Sequence, residues 1–395
     1  MEGLTADTAA CSISREEELH WLALTLIPGL GTRMAGKLLD RFRTPQAVFR
    51  ASRTELEAAG VGGAVAQSIS SGCSFEDALD QQRKMAERGA VAIVRGDPRY
   101  PALLREIFDP PVLLFARGRL ELLQPFHFAV VGTRRPTPYG LAAAERLSAD
   151  LARAGLTIVS GMARGIDTAA HKGAFSAGGD TVAVLGCGVD VVYPSENRKL
   201  AGDLAANGLL LSEFAMGSTA FPQNFPIRNR IISGLSAGVL VVEGAQYSGS
   251  AITAKLALDQ GRECFAVPGN ITSQASWGPN LLIKQGAKLV QDWNDVIVEL
   301  PAEVRRQLIE RGRTRLLGNT GASQDGGRTS HIEGSLPEVG RRLLAVLQVD
   351  TAIHLDDLLQ IVEDSSASEL IAALFELEML GLVKQLPGKH FVKVW

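Results

Sequence analysis

The sequence predicts an α/β protein built on a doubly wound, mainly parallel sheet, with a small helical domain before it and a winged helix after it. Three observations lead to this prediction. Short apolar runs alternate with helical runs between residues 126 and 300, and glycine turns separate helical runs before residue 75. After residue 335, three helical runs precede two strand-like pieces. Continuous apolar strands that alternate with helices indicate a parallel sheet covered on both faces.

The composition is typical of a soluble globular protein with about two to four domains, since 46% of the 395 residues are hydrophobic and 21% are charged. No apolar run reaches the roughly 18 residues that a membrane span needs. Residues 1–14 lack the pattern of a signal peptide, and we expect them to be disordered and the protein to be cytoplasmic. The four cysteines are scattered, which argues against a zinc site and against disulfides.

The net charge of −3 restricts any nucleic-acid site to a local patch, because proteins that bind duplex DNA over much of their surface are usually basic. Composition alone favours a metabolic enzyme. The argument for DNA therefore depends on particular residues.

The first predicted domain is helical and covers residues 15–74. Within it, the run Ile27-Pro-Gly-Leu-Gly31 precedes an amphipathic stretch from Arg33 to Phe42, and a shorter version, Ala59-Gly-Val-Gly-Gly63, precedes another helical run. This outline is that of a helix-hairpin-helix, or SAM-like, unit, whose glycine loop lets backbone N–H groups approach a phosphate at a helix N-terminus. A glycine-rich turn inside a small helical bundle explains the same pattern equally well.

The second predicted domain is Rossmann-like and covers residues 75–312, including an N-terminal extension. The extension has a helix over Glu76–Arg88 and a strand over Val91–Val94, after which prolines 98, 101, 110 and 111 exclude a long helix. Helical runs such as Leu141–Ala154 and Ser250–Gln260 separate the strands of the sheet. The predicted strands are Phe128–Gly132, Thr157–Gly161, Thr181–Gly186, Leu209–Glu213, Val239–Glu243, Cys264–Pro268 and Lys288–Val290.

The C-terminal part begins with residues 313–334, which are rich in Gly, Ser and Thr and are predicted to form a flexible linker. Residues 335–395 are predicted to form the winged helix, with helices over Glu338–Gln348, Leu355–Val362 and Ala367–Leu380 and strands over Leu382–Leu386 and His390–Val394.

The third of these helices has no Lys or Arg, so sequence-specific reading of duplex DNA through it is not expected. Its acidic residues are Glu369, Glu376 and Glu378. The wing residues that could touch a backbone are Lys384, Lys389, His390 and Lys393.

The loops after the predicted strands suit a polyanion, since ligands of open parallel sheets bind at the carboxyl ends of the strands. Gly132 and Gly161 expose backbone N–H groups, and helix N-termini follow them. Cations spread over several loops indicate a groove that follows a nucleic-acid backbone. The cationic candidates are Arg134, Arg164, Lys172, Arg228 and Arg230, and the possible base platforms are Tyr193, Phe221 and Phe225.

A structural interpretation of two of these residues stays open, because Arg228 and Arg230 could simply pair with Glu213 or Glu243. Tyr193 and Phe225 could equally be packing residues.

The sequence contains little that indicates an enzyme or a metal site. The chain has no G-x-G-x-x-G opening a helix and no P-loop, so no cofactor is predicted. Asp167 and His171 are four residues apart on one helix and could mimic a metal pair, but no third ligand has supporting spacing. A contact between the two side chains within the helix is the commoner arrangement.

Six runs in the α/β domain resemble the DNA-processing protein A family, also called DprA or Smf: VVGTRRPTPYG, SGMARGIDTAAHKGA, TVAVLGCGVDVVYPSEN, FPIRNRIISGLS, VVEGAQYSGSAITAKLALDQGRECFAVPGN and GPNLLIKQGA. The similarity extends upstream to GDPRYPALLREIFDPPVLLFARG and covers roughly residues 90–300. Helical and winged-helix flanks also fit the longer members of that family.

The resemblance implies a protein that binds single-stranded DNA, protects it and loads the RecA recombinase during bacterial transformation and recombination. It also implies a homodimer formed through the Rossmann-like domain. By motif match, the residues at or near the DNA are Gly132, Thr133, Arg134, Gly161, Arg164, Lys172, Phe225, Arg228, Asn229 and, in the same FPIRNR motif, Arg230.

Two other functions remain as alternatives. One is a nucleotide phosphoribohydrolase on a similar sheet, although Val242-Glu-Gly-Ala-Gln-Tyr-Ser-Gly-Ser250 lacks the P-G-G-x-G-T-x-x-E spacing that places the catalytic Glu of such enzymes. The other is a protein scaffold with a vestigial pocket, which would have no affinity for oligonucleotides.

Overall fold

The computed structural model describes residues 13–124, 126–246, 248–302, 304–308, 338–347, 353–362, 367–379, 383–386 and 388–393. The chain divides into two compact units, Met1–Thr314 and Arg315–Trp395. Residues 1–12 of the segment that we expected to be disordered lie outside the described residues. The predicted linker over residues 313–334 lies outside them as well. Within the described residues, no helix is long and apolar enough to cross a membrane.

The first unit begins with six helices, of which the first five share an apolar cluster that includes Leu24, Leu38 and Leu56, while the sixth contributes Ala78 and Met85 to a neighbouring cluster. Ser14 caps the first helix through its side chain, and a capping box at Ser52 starts the fourth. These helices are α1 (Arg15–Thr25), α2 (Thr32–Phe42), α3 (Pro45–Arg50), α4 (Arg53–Ala58), α5 (Gly63–Ser71) and α6 (Phe75–Arg88).

A nine-stranded sheet forms the centre of the first unit, in the order β1-β2-β6-β5-β4-β3-β7-β8-β9. The strands from β6 to β9 in this order pair in parallel, whereas β2 is antiparallel to β1 and to β6. The strands are β1 (Val91–Val94), β2 (Leu113–Gly118), β3 (His127–Val131), β4 (Thr157–Ser160), β5 (Thr181–Val184), β6 (Leu209–Ser212), β7 (Gly238–Val241), β8 (Glu263–Ala266) and β9 (Lys288–Leu289).

The fully buried strands explain why the sheet could be predicted, since β3, β4, β5, β6 and β7 have no exposed residue. Helices cover both faces over two apolar clusters, one around Val159 and Leu211 and one around Phe128 and Phe265. The helices are α7 (Ala102–Arg105), α8 (Pro138–Arg153), α9 (Ile166–Ser176), α10 (Arg198–Asn207), α11 (Asn224–Leu235), α12 (Gly249–Asp259), α13 (Gln274–Lys284) and α14 (Asn294–Ile297).

Strand β2 was missed at the sequence level because it lies in a stretch dominated by prolines. The structure adds Leu113–Gly118 to the sheet, where Phe115 pairs with Ser212 and Ala92. The sequence predicted an extension with a single strand there. The extension instead supplies two antiparallel strands at one sheet edge, which makes the sheet mixed at that edge.

The strand order reverses between β3 and β7. From β3 the chain proceeds through β4, β5 and β6 on one side, and through β7, β8 and β9 on the other. The connections that leave β3 and β7 therefore diverge to opposite sides and leave a crevice at the carboxyl ends of these two strands. This is where the loops that were singled out in the sequence should meet.

The second unit has the elements of the predicted winged helix. Three helices, α15 (Glu338–Val346), α16 (Leu355–Ile361) and α17 (Ala367–Met379), share an apolar cluster with a small sheet of order β10-β12-β11. Its strands are β10 (Ile353–His354), β11 (Val383–Leu386) and β12 (His390–Lys393), of which β10 was not predicted.

Two acidic residues of α17, Glu369 and Glu378, are exposed. Lys389 in the wing is also exposed, while Lys393 donates to the carbonyl oxygen of Leu344 at 3.2 Å. The side chains of Glu376 and Lys384 fall outside the described part of the structure.

Candidate functional site

A cavity of about 440 Å³ lies at the carboxyl ends of β3 and β7. Four segments line it: the loop after β3, the start of α9 with the loop before it, the N-terminal part of α11 and the start of α12. The lining residues used below are Gly132, Thr133, Arg134, Arg135, Asp167, Phe225, Arg228, Asn229, Ser248, Gly249, Ser250 and Thr253. Six of the ten site residues predicted from the sequence lie in this cavity.

The mouth of the cavity combines a cation with aromatic rings. Arg134 is exposed, and its guanidinium carbon lies 4.9 Å from the centroid of the Phe225 ring. The Tyr193 ring packs against Phe225 with a centroid distance of 5.5 Å. A guanidinium at this distance is attracted to the electron-rich ring face, so Phe225 orients Arg134 while the charge stays in solvent.

Arg228 forms the inner wall and is only 3% exposed. Its Nη1 donates to the carbonyl oxygen of Val184 at 3.1 Å, while Nε has no hydrogen-bond partner within the described residues. Burial lowers the pKa of the Arg228 guanidinium, with a smaller contribution in the same direction from Arg134, and the charge of Asp167 opposes this shift. A buried cation with an unused donor beside a cavity is a strong attractor for an anion.

Asp167 lies beneath the cavity and fixes the loop after β4. Its Oδ2 accepts hydrogen bonds from the backbone N–H groups of Gly161 at 3.1 Å and Ala163 at 3.3 Å. Burial raises the pKa of the Asp167 carboxyl, and the charge of Arg228 and these N–H groups oppose that shift. Asp167 therefore partly neutralises Arg228 from below and leaves its outer side for a ligand.

Gly161 serves a different purpose from the one predicted. We expected its backbone N–H to meet a polyanion, but this N–H donates to Asp167. A Cβ atom at position 161 would lie 1.4 Å from Nη1 of Arg228, so the glycine makes room for the arginine. Its contribution to the site is therefore indirect.

Glu243 holds the loop that carries Arg134 and Arg135. Its backbone oxygen accepts from the N–H of Thr133 at 2.7 Å. Its carboxylate accepts from the N–H and the hydroxyl of Thr137 at 2.9 and 2.6 Å. The sequence left open that Glu243 pairs with an arginine. In the structure Glu243 instead accepts hydrogen bonds from Thr133 and Thr137, which lie at the two ends of this loop.

Arg230 lies outside the cavity. It is 6% exposed and forms ion pairs with Glu213 and with Asp109, the latter at 3.2 Å. Burial raises the pKa of the Glu213 carboxyl, and Arg230 opposes this shift by charge and by hydrogen bonding. The pairing of Arg230 with Glu213 that the sequence left open is present in the structure, and it anchors α11 to its surroundings.

Two further predicted cations do not line the cavity. Arg164 is exposed on the loop after β4 and forms an ion pair with the exposed Glu196, and Lys172 is exposed on α9. Asn229, by contrast, lines the cavity, and its Nδ2 donates to the carbonyl oxygen of Gly249 at 3.5 Å. That contact links α11 to the start of α12.

His171 does not pair with Asp167. Its Nδ1 shares a hydrogen bond with the hydroxyl of Thr181 at 2.7 Å, and burial together with the charge of Arg228 lowers its pKa to about 3. The expected contact between the two side chains within the helix was wrong, because each has a partner on another segment. No cluster of three or more metal-ligating side chains exists among the described residues.

Sequence reasoning missed the contribution of α12 and of Arg135 to the cavity. Ser248, Ser250 and Thr253 bring hydroxyl groups to its wall, and Ser248 caps the N-terminus of α12. The run Ser-Gly-Ser-Ala-Ile-Thr signalled this site, because hydroxyl residues at a helix start suit an anion. Its position opposite Arg134 follows only from the strand order.

The arrangement can bind an anion without a metal. Cations stand at the mouth and on the inner wall, a helix N-terminus with hydroxyl groups faces them, and aromatic rings flank the entrance. Those groups match a phosphate that carries an attached planar base.

Comparison with known proteins identifies three segments of the chain. Residues 91–301 match the family model described as DNA recombination-mediator protein A. Residues 22–74 match a SAM-like helix-hairpin-helix tandem, and residues 332–389 match the DprA winged helix domain.

Individual relatives and a solved structure indicate the same family. The chain is 33% identical over 401 residues to Protein Smf of Synechocystis sp., covering 96% of this chain and 99% of the relative. It is 45% identical over 216 residues to DNA processing protein DprA of Bacillus subtilis, covering 54% and 73% of the two chains. The X-ray structure of DNA processing protein A from Streptococcus pneumoniae is similar with a TM-score of 0.63 at 35% identity, over 73% of this chain and 99% of that one.

Proposed function

The chain belongs to the DNA recombination-mediator protein A (DprA/Smf) family, and from this premise we propose that it binds single-stranded DNA in the cavity at the carboxyl ends of β3 and β7. The observation that carries the proposal is the pairing of Arg134 with Phe225 in front of the buried Arg228. Proteins that bind single strands combine cations that follow the backbone with rings on which bases stack.

A phosphate fits between Arg134 at the mouth, Arg228 behind it and the N-terminus of α12. Arginine can meet phosphate oxygens with two parallel N–H donors, and the helix dipole adds about half a positive charge at its N-terminus. Asp167 reduces the net charge at the base of the cavity, so affinity depends strongly on the exposed Arg134 and Arg135.

The bases of the strand are proposed to lie against Tyr193 and Phe225, whose rings are already in contact. Phe221 is exposed and precedes α11, so it offers a further ring on the same segment. A ring stacked on a base contributes about 1–3 kcal/mol and is tolerant of sequence. Binding without sequence preference follows from this.

We infer that the protein acts without catalysis. Glu243, which occupies the place comparable to the catalytic Glu of phosphoribohydrolases, has both carboxylate oxygens engaged by Thr137. A general base needs access to the proton that it abstracts, and this carboxylate is 1% exposed.

Further expectations rest on the family and not on contacts. We propose that the protein protects the bound strand and loads RecA onto it during transformation and recombination, and that it acts in the cytoplasm. We also propose a homodimer formed through the Rossmann-like domain, in which two cavities bind one strand with a gain from avidity.

Binding of a fluorescent poly-dT oligonucleotide and of a matched duplex across a salt series tests the proposed function. The single strand is expected to bind more tightly, with an affinity that falls as salt rises. Failure of the single strand to bind at low salt contradicts the proposal. In a parallel assay, release of free base from nucleoside monophosphates at an ordinary enzymatic rate would favour the phosphoribohydrolase function instead.

A further inference from the structure

A second cavity, of about 160 Å³, lies between α10 and the sheet, and we call it the α10 cavity. Its walls are mostly apolar, and four of its lining residues are at most 2% exposed: Met162, Leu185, Val189 and Leu210. Among the described residues, it shares no lining residue with the cavity at the carboxyl ends of β3 and β7. An apolar cavity of about 150 Å³ holds one benzene ring, so the α10 cavity has room for one aromatic side chain.

Small residues on α10 leave this space open. Ala201, Gly202 and Ala205 line the cavity, and they follow Arg198 at the spacing of residues that share one face of a helix. A Cβ atom at position 202 would meet nothing within 4 Å. Longer side chains at these positions would fill the space, so the cavity follows from the sequence of α10.

Two arginines line the α10 cavity together with these apolar residues. In β2, Arg117 follows Leu113 and Phe115 at two-residue intervals and therefore points to the same face of the sheet. Arg198 is exposed at the start of α10. Among the described residues, neither guanidinium has an ion-pair or hydrogen-bond partner. Two such cations beside an apolar space suit a ligand that carries an anionic group next to an apolar one.

The carboxylate of Asp190 also lines the cavity, but its contacts are elsewhere. Its Oδ1 accepts a hydrogen bond from the backbone N–H of Gly217 at 2.8 Å. In the described part of the chain, no ion pair joins Asp190 to Arg117 or Arg198. The two arginines and Asp190 together carry one net positive charge, which a single carboxylate on the ligand would balance.

From these observations we propose that the α10 cavity binds the C-terminal residue of a partner protein, with an aromatic side chain inside the cavity and the α-carboxylate at Arg117 and Arg198. A chain terminus carries an apolar side chain and a carboxylate on one carbon atom, which matches what the cavity presents. Arginine can meet both oxygens of a carboxylate with parallel N–H donors. The preceding residues of the partner would cover Val192, an apolar lining residue that is 38% exposed. A free acid of one ring would leave that side chain in water.

The proposal does not depend on DNA binding, because the loops after β4 and β5 separate the two cavities. Met162 lines the α10 cavity, and the next residue, Ala163, lines the cavity proposed for DNA. Val192 likewise lines the α10 cavity, whereas the ring of its neighbour Tyr193 packs on Phe225. The protein would then hold a partner chain and a single strand at the same time.

The test measures binding of a fluorescent peptide, Gly-Ser-Gly-Ser-Phe with a free C-terminus, to the full chain by anisotropy. The same peptide with a C-terminal amide, or ending in Ala, is expected to bind about tenfold more weakly or worse, because each change removes one of the two matched groups. Arg117→Gln and Arg198→Gln should each weaken binding of the free-acid peptide by a similar factor. Lys199→Gln is the matched control, since it removes one charge from the next residue of α10, outside the cavity lining.

Gly202→Leu places an apolar side chain at the cavity without removing a charge, and it should also weaken peptide binding about tenfold while dT binding stays unchanged. The proposal is overturned if the wild type does not bind the free-acid peptide, if the amide binds equally well, or if Gly202→Leu has no effect. Equal losses in Arg198→Gln and Lys199→Gln also overturn it.

Competition by N-acetylphenylalanine separates a chain terminus from a small acid. An affinity equal to that of the peptide would assign the cavity to a small molecule and overturn the proposal, whereas much weaker competition supports a partner chain. Thermal melting establishes that each variant folds. Failure of the wild type to bind dT contradicts only the proposed DNA function.

Discussion

The Glu243 carboxylate accepts two hydrogen bonds from Thr137, one from its backbone N–H at 2.9 Å and one from its hydroxyl at 2.6 Å. Because the backbone oxygen of Glu243 also holds the N–H of Thr133, a single residue fixes both ends of the loop that carries Arg134 and Arg135. The position of the exposed cations therefore depends on a buried acid that would not itself touch DNA.

Glu243→Gln should weaken single-strand binding several-fold. The amide keeps one acceptor but replaces the other oxygen with a donor, and hydrogen bonds to a charged group contribute about 1.5–3 kcal/mol. The loop should loosen, so the dissociation rate of a dT oligonucleotide should rise while the salt slope stays the same. Glu145→Gln on the exposed side of α8 is the control, and equal behaviour of the two variants would contradict the role of Glu243.

Gly161→Ala should damage both folding and binding, because the new Cβ atom would lie 1.4 Å from Arg228. Forcing an extra carbon into a packed interior costs about 1–3 kcal/mol, and here it also displaces a cavity cation. Denaturant unfolding and oligonucleotide titration measure the two effects. Gly202→Ala on α10, where a Cβ atom meets nothing within 4 Å, should unfold no earlier than the wild type.

The Arg230→Ala variant tests whether Arg230 stabilises the fold or contacts DNA. It leaves Glu213 buried and without its cationic partner, which should cost about 3–5 kcal/mol of unfolding free energy. Under conditions where the variant is still folded, its affinity for dT should equal that of the wild type. A stable variant with lost DNA affinity would place Arg230 at the ligand after all.

Acid should destabilise the protein through His171. Burial lowers the pKa of this imidazole from 6.5 to about 3, so the unfolded chain binds a proton below pH 6.5 that the folded chain does not. The stability contributed by the neutral ring is complete above pH 6.5 and is lost, by about 1.4 kcal/mol per pH unit, as pH falls towards 3. His171→Gln should flatten the unfolding free energy between pH 6.5 and 4, and an unchanged pH dependence would count against this.

The sheet could be predicted from the sequence because its strands are buried on both faces and read as continuous apolar runs, as Phe128–Gly132 does. The strand Leu113–Gly118, next to the edge strand β1, could not be predicted, since neighbouring prolines dominate the local signal. The DprA/Smf family and the α/β fold with its two flanking domains are confirmed.

The candidate site was only partly predictable, because side-chain direction decides it. Arg228 and Arg230 are two residues apart on α11, yet one lines the cavity and the other forms a buried ion pair. Local sequence cannot distinguish them without the partners Asp167 and Glu213. Likewise, the contribution of Ser250 depends on the reversal of strand order between β3 and β7.

Titration of a fluorescent dT oligonucleotide with Arg134→Ala and with Arg153→Ala tests the central claim most directly. Both arginines are exposed, so both variants should fold. Arg134→Ala should weaken single-strand binding about tenfold or more and lower the salt slope by about one, while Arg153→Ala should match the wild type. Equal affinities for wild type and Arg134→Ala would contradict the assignment of the cavity as the DNA site.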